Sequence, residues 1–371
     1  MLVAVGDLVD EVTSGDWGKA EPEADTAECV VIRATDFDSL ARNDLDAAPR
    51  RFLRFPSIVK RRLMAGDLLV EMSGGSEAQP TGRVVRVIDS ITARTPPVVF
   101  SNFVKRIRLK PEVDSEYFAL AWRNLYYSGR TRPYEKRTTG IRNFRLDDFL
   151  VSEEMLVPPL DEQRRIARRL SAIQRSRECV VRSRKSVDDL GRSIADRLLT
   201  PGKVWRTSRL GDVLTLQRGN DLPKSERRDG HYPVVGANGV VGSHDTAISE
   251  GPGVLVGRSG SVGKVTWIPG PFWPLNTALW VKDWHNNDPR FVYFFLRSLR
   301  LQDYAAGVSV PTLNRNLLHP LTVRFPPIDE QQRIACMLST IGRKTEADDD
   351  VVVALDQVLA SAMVELLVSA P

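Results

Sequence analysis

Apolar residues recur every seven positions in two stretches of the chain. In the first, Ile166, Ile173, Val180, Val187 and Ile194 form one column, and Leu170 and Leu198 lie on a flanking column that Arg177, Arg184 and Gly191 interrupt. In the second, Ile334, Ile341 and Leu355 make one column, and Leu338, Val352, Leu359 and Leu366 the other. A period of seven held this long predicts helices that pack as a coiled coil. Prolines stand just outside each start, Asp161 and Asp329 are placed to cap, and Glu162 and Glu330 fall in the first turn. Asp348 breaks the first column of the second stretch inside the run Asp348-Asp349-Asp350, which predicts a kink or loosening there.

The starts of the two stretches are copies of each other. VPPLDEQRRIARRLSAI at 157–173 matches FPPIDEQQRIACMLSTI at 325–341 in eleven of seventeen positions, at an offset of 168 residues with no gap. Weaker echoes precede them: Gly6-Asp7-Leu8-Val9 is answered by Gly211-Asp212-Val213-Leu214, and the segment 68–75 by 254–261. The chain is therefore two versions of one plan, each a globular copy followed by a long helix. The expected boundaries are 1–157 for the first copy, 158–200 for its helix, 201–325 for the second copy and 326–371 for its helix.

Both copies read as mixed α/β (α+β), with short β-prone runs such as 82–88 and 263–268 punctuated by Gly, Pro and Asn. One amphipathic helix is expected late in each copy, at 115–127 and 288–301. Charge then suggests how the long helices associate. Residues 161–200 carry eleven Lys/Arg against six Asp/Glu, whereas 329–371 carry three against eight, so the two stretches have net charges of +5 and −5. Opposite signs favour pairing with each other over self-pairing. A helix of about 38 residues spans about 57 Å, and an antiparallel pair would form a spacer with one globular copy at each end. Replacing Ile166 and Ile173 together by Asp is expected to break that spacer while leaving each copy folded.

The whole chain has a formal net charge of +5, but the sum hides the distribution. The first copy is close to neutral and the second carries +6. Within the first copy, the segment 123–145 is locally basic: Arg123, Arg130, Arg132, Lys136, Arg137, Arg142 and Arg145 share it with a single acid, Glu135, and with Tyr126, Tyr127, Tyr134, Thr138, Thr139 and Asn143. Arg and Lys neutralise phosphates or bind guanine edges, hydroxyls contact phosphate oxygens, and Asn reads adenine. In the second copy the counterpart loop 305–315 offers Ser309, Thr312, Asn314 and Arg315, and the run Arg218-Gly219-Asn220 makes a second candidate surface. The Gly/Ser loops near Arg83 and at Arg258-Ser259 to Lys264 read either as tight turns or as close approaches to a phosphate backbone.

Catalytic signatures are missing from the sequence. The Gly263-Lys264 pair is followed by Val265 instead of Ser or Thr, and by a β run instead of a helix, so it is no nucleotide-binding loop. The four histidines are scattered through the second copy, and none of the three Pro-Pro pairs sits in the tetrapeptide of an amino-methyltransferase. Cys29, Cys179 and Cys336 lie far apart without partners in a CxxC, which argues against a disulfide framework or a zinc site; all three read as ordinary buried or half-buried thiols. Neither a leader segment nor a membrane span is evident, which makes a cytoplasmic protein the expectation. A non-enzyme is expected on these grounds.

The tandem variable halves, the duplicated Pro-Pro-x-Asp-Glu-Gln-x-Arg-Ile-Ala-x-x-Leu box and the long helix after each half resemble the specificity subunits of type I restriction-modification systems, across essentially the whole chain. The resemblance implies two target recognition domains that read the halves of a bipartite, asymmetric sequence in double-stranded DNA. It also implies antiparallel helices that dock two methyltransferase subunits and then restriction/translocase subunits, with S-adenosylmethionine, ATP and Mg used by those partners and no cofactor on this chain. Carried over, Pro158, Pro159, Glu162, Gln163, Ile166 and Ile173, with Pro326, Pro327, Glu330, Gln331, Ile334 and Ile341, belong to the scaffold and partner-docking region. No family motif fixes the base readers, so the DNA-contacting candidates above rest on chemistry alone. Three other possibilities remain open: a coiled-coil scaffold that binds only proteins, which weak and salt-independent DNA affinity would favour; an enzyme acting on nucleic acid alone, which methyl transfer by the isolated chain would favour; and a stand-alone homologue that redirects a foreign methyltransferase.

Overall fold

A computed structural model describes residues 1–138, 141–306 and 311–367. The chain divides into two compact units, one of Met1–Glu178 with the chain from Val353 onward, the other of Cys179–Val352. Each unit thus holds one globular copy, half of the first long helix and half of the second.

In the first unit a four-stranded sheet runs in the order Val9–Ser14, Val104–Leu109, Leu68–Glu71, Val84–Arg86, every neighbouring pair antiparallel. The strand Leu68–Glu71 is apolar almost throughout because both of its faces are covered. Leu68 and Val70 join the core beneath the helix Ser115–Tyr127, whereas Leu69 joins Ile32, Val85 and Phe100 on the other side. A second sheet of three strands is centred on Thr26–Ile32, with Arg50–Arg54 antiparallel on one side and Val98–Phe100 parallel on the other. The helix Ser115–Tyr127 starts where sequence expects, because the Asp114 carboxylate accepts from the amides of Glu116 and Tyr117 at 3.1 and 2.9 Å.

The second unit repeats this topology. Its four-stranded antiparallel sheet runs Thr215–Arg218, Ala278–Asp283, Gly253–Gly257, Val265–Ile268, and its three-stranded sheet is centred on Tyr232–Gly236 with one antiparallel and one parallel neighbour. Asp288 caps the helix Pro289–Ser298 by accepting from the Phe291 amide at 2.7 Å. The same glycine closes both first strands. A Cβ on Gly15 would lie 2.0 Å from the Ser101 carbonyl oxygen, and one on Gly219 would lie 2.3 Å from that of Leu275.

The long helices span Leu160–Leu198 and Ile328–Leu367. Both begin one residue before the acid expected to cap them, so Asp161 and Asp329 sit inside the first turn, where a negative charge still suits the exposed amides. No break occurs at Asp348: the helix continues through it, with the buried carboxylate held by Lys344 one turn earlier. The polar residues that interrupt the apolar columns turn out to be paired. In the first unit Arg177 bonds Asp356, Nη2 to Oδ2 at 3.2 Å; in the second, Arg184 bonds Asp349 and Asp188 accepts from Thr345 at 3.2 Å. Gly191 lets Ile341 approach, where a Cβ would meet its Cγ2 at 2.8 Å. Partners that descend in one helix as they ascend in the other make the pair an antiparallel coiled coil.

Two expectations need correction. Ile166, Ala167 and Leu170 are buried in the core of the first copy, as Ile334, Ala335 and Leu338 are in that of the second. These side chains close the globular copies, so an Asp at 166 would break the first copy's core instead of leaving it folded; Ile173 and Ile341, one heptad later, are half-buried seam residues. Among the cysteines, only Cys29 is buried. Cys179 and Cys336 lie on solvent-facing sides of the long helices and are exposed.

Candidate nucleic-acid interface

The duplicated box has a specific mechanical task. The Gln163 side chain is 1% exposed; its Oε1 accepts from the Asp114 amide at 2.8 Å and its Nε2 donates to the Pro158 carbonyl at 2.9 Å. Gln331, also 1% exposed, accepts from the Asp288 amide at 2.9 Å and donates to the Pro326 carbonyl at 2.9 Å. Asp114 and Asp288 are the caps of the two amphipathic helices. One amide side chain in each copy therefore latches the long helix to the globular domain, leaving no buried polar group unsatisfied at the junction. Trp205 adds a bond from its indole nitrogen to Glu330 at 3.2 Å. Glu162 instead pairs with Arg165 on the surface, Oε1 to Nη2 at 2.6 Å.

The surfaces that differ between the copies lie elsewhere, just beyond the ends of the strands Leu68–Glu71 and Gly253–Gly257. In the first copy the hairpin of Glu135–Thr138 and Ile141–Phe144 is extended by Ser73–Gly74, with Asn143 opposite Ser73 and the Ser73 hydroxyl donating to Asn143 Oδ1 at 2.6 Å. In the second copy, bridges pair Thr312 with Ser259 and with Ala306. Asn143 and Thr312 are thus equivalent, and the hairpin is a feature of the shared plan. The backbone agrees: Phe144 N donates to Met72 O and Leu313 N to Arg258 O, both at 2.8 Å. Met72 and Arg258 occupy the same place.

Much of the first copy's basic segment is consumed internally. Glu135 is buried and accepts from the Thr81 amide at 2.6 Å, the Thr81 hydroxyl at 2.9 Å and Arg142 at 3.2 Å. Arg83 forks onto buried Glu71 at 2.9 and 3.1 Å and reaches the Ala34 carbonyl at 3.0 Å, an arrangement that holds its guanidinium charge even more firmly than usual. Arg130 pairs with Glu153, and Arg145 with Asp148 at 2.6 Å. Arg132, Lys136 and Arg137 are exposed without a carboxylate partner among the described residues. Thr139 and Ser309, and the side chain of Thr138, lie outside what is described.

The second copy is different. Arg218, Arg258, Asn314 and Arg315, all expected from sequence, line one cleft of about 500 Å³ together with Gln217 and Leu279. None of its three guanidinium groups meets a carboxylate among the described residues, so the cleft carries concentrated, uncompensated positive charge. Arg258 forms its half-buried floor, fixed on both sides through its backbone, whose amide donates to Thr277 O at 2.8 Å. Arg218 and Arg315 are exposed at the rim. Asn314 caps the short helix Arg315–Leu318 by accepting from the Asn316 amide at 3.0 Å through Oδ1. Beneath, His319 Nε2 accepts from the Leu216 amide at 3.0 Å, and burial beside Arg315 holds its pKa below the usual value. Gln217 and Leu279 went unforeseen; the signal for Gln217 was its place beside Arg218 in a strand ending at a forced glycine.

The remaining candidates are dispersed. Asn220 follows that glycine, its amide donating to Pro274 O at 2.8 Å. Lys264 does not face outward as a free cation: it donates to the carbonyl and side-chain oxygens of Asn238 at 2.8 and 3.1 Å. The loop that carries it is a tight turn, closed by the Gly263 amide on Gly257 O at 2.9 Å. No group of three His, Cys, Asp or Glu suited to a metal occurs among the described residues, and no helix there is long and apolar enough to cross a membrane.

Residues 202–350 match the family model described as type I restriction modification DNA specificity domain. The specificity subunit of the type I restriction enzyme EcoprrI of Escherichia coli is 26% identical over 148 residues, which are 38% of this chain and 37% of that protein; the match thus spans little more than a third of that relative. The fold extends further. The crystal structure of a type I restriction-modification S subunit from M. genitalium superposes with a TM-score of 0.70, at 16% identity, over 100% of this chain and 96% of that one. A chain from a structure of the complex assembly and conformational transition of the type I R-M system gives 0.54, at 15% identity, over 99% and 97%.

Proposed function

We propose that this chain, a member of the type I restriction-modification specificity family by its second-copy domain and its fold, is the DNA-reading subunit of such a complex and leaves the chemistry to its partners. Each copy reads one half of a bipartite, asymmetric target in double-stranded DNA. The long helices dock two methyltransferase subunits, to which restriction/translocase subunits then add, and S-adenosylmethionine, ATP and Mg act there.

One observation carries this conclusion. The two copies are the same where they meet their long helices, at Gln163 and Gln331, and differ at one half-buried place, where Met72 stands in one and Arg258 in the other. A duplicated mount with unlike outer surfaces suits two unlike half-sites. On the second copy the reading surface is the cleft of Arg218, Arg258, Asn314 and Arg315, with Thr312, Ser259 and Asn220 near it. On the first it is the hairpin bearing Lys136, Arg137 and Asn143 with Arg132 just before it, and Thr138 and Thr139 belong to the same contact set. Arg83, Arg142 and Lys264 hold the fold and drop out of the contact set.

The test is co-expression with the methyltransferase subunit encoded beside this chain, followed by single-molecule mapping of N6-methyladenine. A motif in two parts with a fixed unread gap is the expected result, and replacing Lys136 and Arg137 by Ala should weaken methylation at that motif. A stable complex that leaves no motif, with salt-independent DNA affinity, would overturn the proposal in favour of a protein-binding scaffold.

A further inference from the structure

We propose that Arg258 is the specificity-determining residue by which the second copy recognises a guanine, through O6 and N7 on its major-groove edge. The inference rests on the DNA-reading function above and assigns a base to one side chain of it.

Three arginines share the cleft, yet they are held differently. Arg218 and Arg315 are exposed at the rim, where their charge suits a phosphate backbone. Arg258 is half-buried, and its main chain is fixed from two directions: its amide donates to Thr277 O, and its carbonyl accepts from Leu313 N, both at 2.8 Å. A planar fork of donors with its base anchored suits a target that presents two acceptors at fixed spacing, which guanine does and a single phosphate oxygen does not require. No carboxylate in the cleft competes for the fork, and the neutral His319 below adds no acceptor toward it, since its Nε2 is taken by the Leu216 amide. Gln217 beside it supplies a pair of groups matched to adenine, so the cleft holds readers for two purines. At the equivalent place the first copy has Met72, which has no hydrogen to donate, so its half-site has no guanine read from this position.

The experiment is selection of random DNA duplexes by the purified full-length chain, followed by titration of the selected site with each single-base change. The wild-type chain should select a second half-site with an invariant guanine. Arg258→Ala should erase discrimination at that base, a loss of about ten- to a hundredfold, while preference at every other position and in the first half-site persists. Arg258→Lys should lose it as well, because a point charge keeps affinity without the fork. Arg218→Ala or Arg315→Ala should weaken all sequences alike and lower the salt slope by about one. The inference fails if Arg258→Ala behaves like the rim variants, or if a two-part motif is selected whose second half has no guanine. Selection of no motif at all overturns it together with the DNA-reading function, and the retained first half-site shows that a variant is folded.

Discussion

Arg184 donates from Nη2 to Oδ2 of Asp349 at 3.1 Å, and Arg184 stands where an apolar column was due. The pair converts an interruption of the heptad pattern into a contact between the two helices, with Asp188 on the same helix also near the guanidinium at 3.8 Å. Both side chains are more than a third exposed, so water screens the attraction, and such a pair is worth at most about 1 kcal/mol. Arg184→Asp should lower stability by up to about that amount, more at low salt than at high, and Arg184→Asp with Asp349→Arg should recover most of it. Chemical denaturation of the three variants measures the effect.

The glutamine latches should cost more to break. Gln163→Leu removes the acceptor of the Asp114 amide and the donor to the Pro158 carbonyl in a dry setting, a loss of about 1–3 kcal/mol. Gln331→Leu should do the same to the second copy. Hydrogen exchange is expected to rise at the amide of Asp114 in the first variant and of Asp288 in the second, with the other copy unchanged.

Ile166 and Ile173 separate two kinds of apolar position. An Asp at 166 buries a charge in the first copy's core, at a cost of several kcal/mol, and limited proteolysis should then degrade that copy first. An Asp at 173 meets partial exposure and should leave the copy resistant while loosening the helix pair. Equal protease sensitivity in the two variants would count against this distinction.

His319 gives the second copy a dependence on pH. Its pKa is lowered by burial first and by Arg315 second, because the neutral ring is the form that accepts from Leu216. The unfolded chain therefore takes up the proton before the folded one does. Stability is complete above the ordinary histidine value of about 6.5 and declines as pH falls from there through the lowered folded value. His319→Gln should flatten that decline in thermal melts between neutral pH and about pH 5.

The thiols should react in an order opposite to their expected equivalence. Cys29 is buried, and burial followed by the charge of Glu28 pushes its pKa up to about 11. Cys179 and Cys336 are exposed. Maleimide should label the latter two in the native protein and Cys29 only after unfolding, as mass spectrometry of the peptides would read.

Periodicity and repetition carried most of the architecture. The seven-residue columns gave the long helices, and opposite net charges gave their pairing, because both signals are local in sequence and summed over many residues. The caps at Asp114 and Asp288 were legible for the same reason. Charge in a single segment was a poorer guide. Arg142 and Arg145 looked like part of a DNA face, but one is held by a buried acid and the other by a neighbour on the next helix turn, and no sequence pattern announces the Thr81–Glu135 contact that buries that acid. Arg218, Arg258 and Arg315 come from three distant segments, yet they were singled out individually because each stands beside a glycine, a serine or an asparagine, at a strand end for the first two and at a helix start for the third. Their convergence was not visible, since it depends on strand register.

The glutamine latch is addressed chiefly to main-chain atoms: the Asp114 amide and the Glu112 and Pro158 carbonyls in one copy, the Asp288 amide and the Pro326 carbonyl in the other. Main-chain atoms are common to every amino acid. A mount of this kind is indifferent to the side chains of the domain it holds, so a substitution on an outer loop asks for no compensating change at the joint.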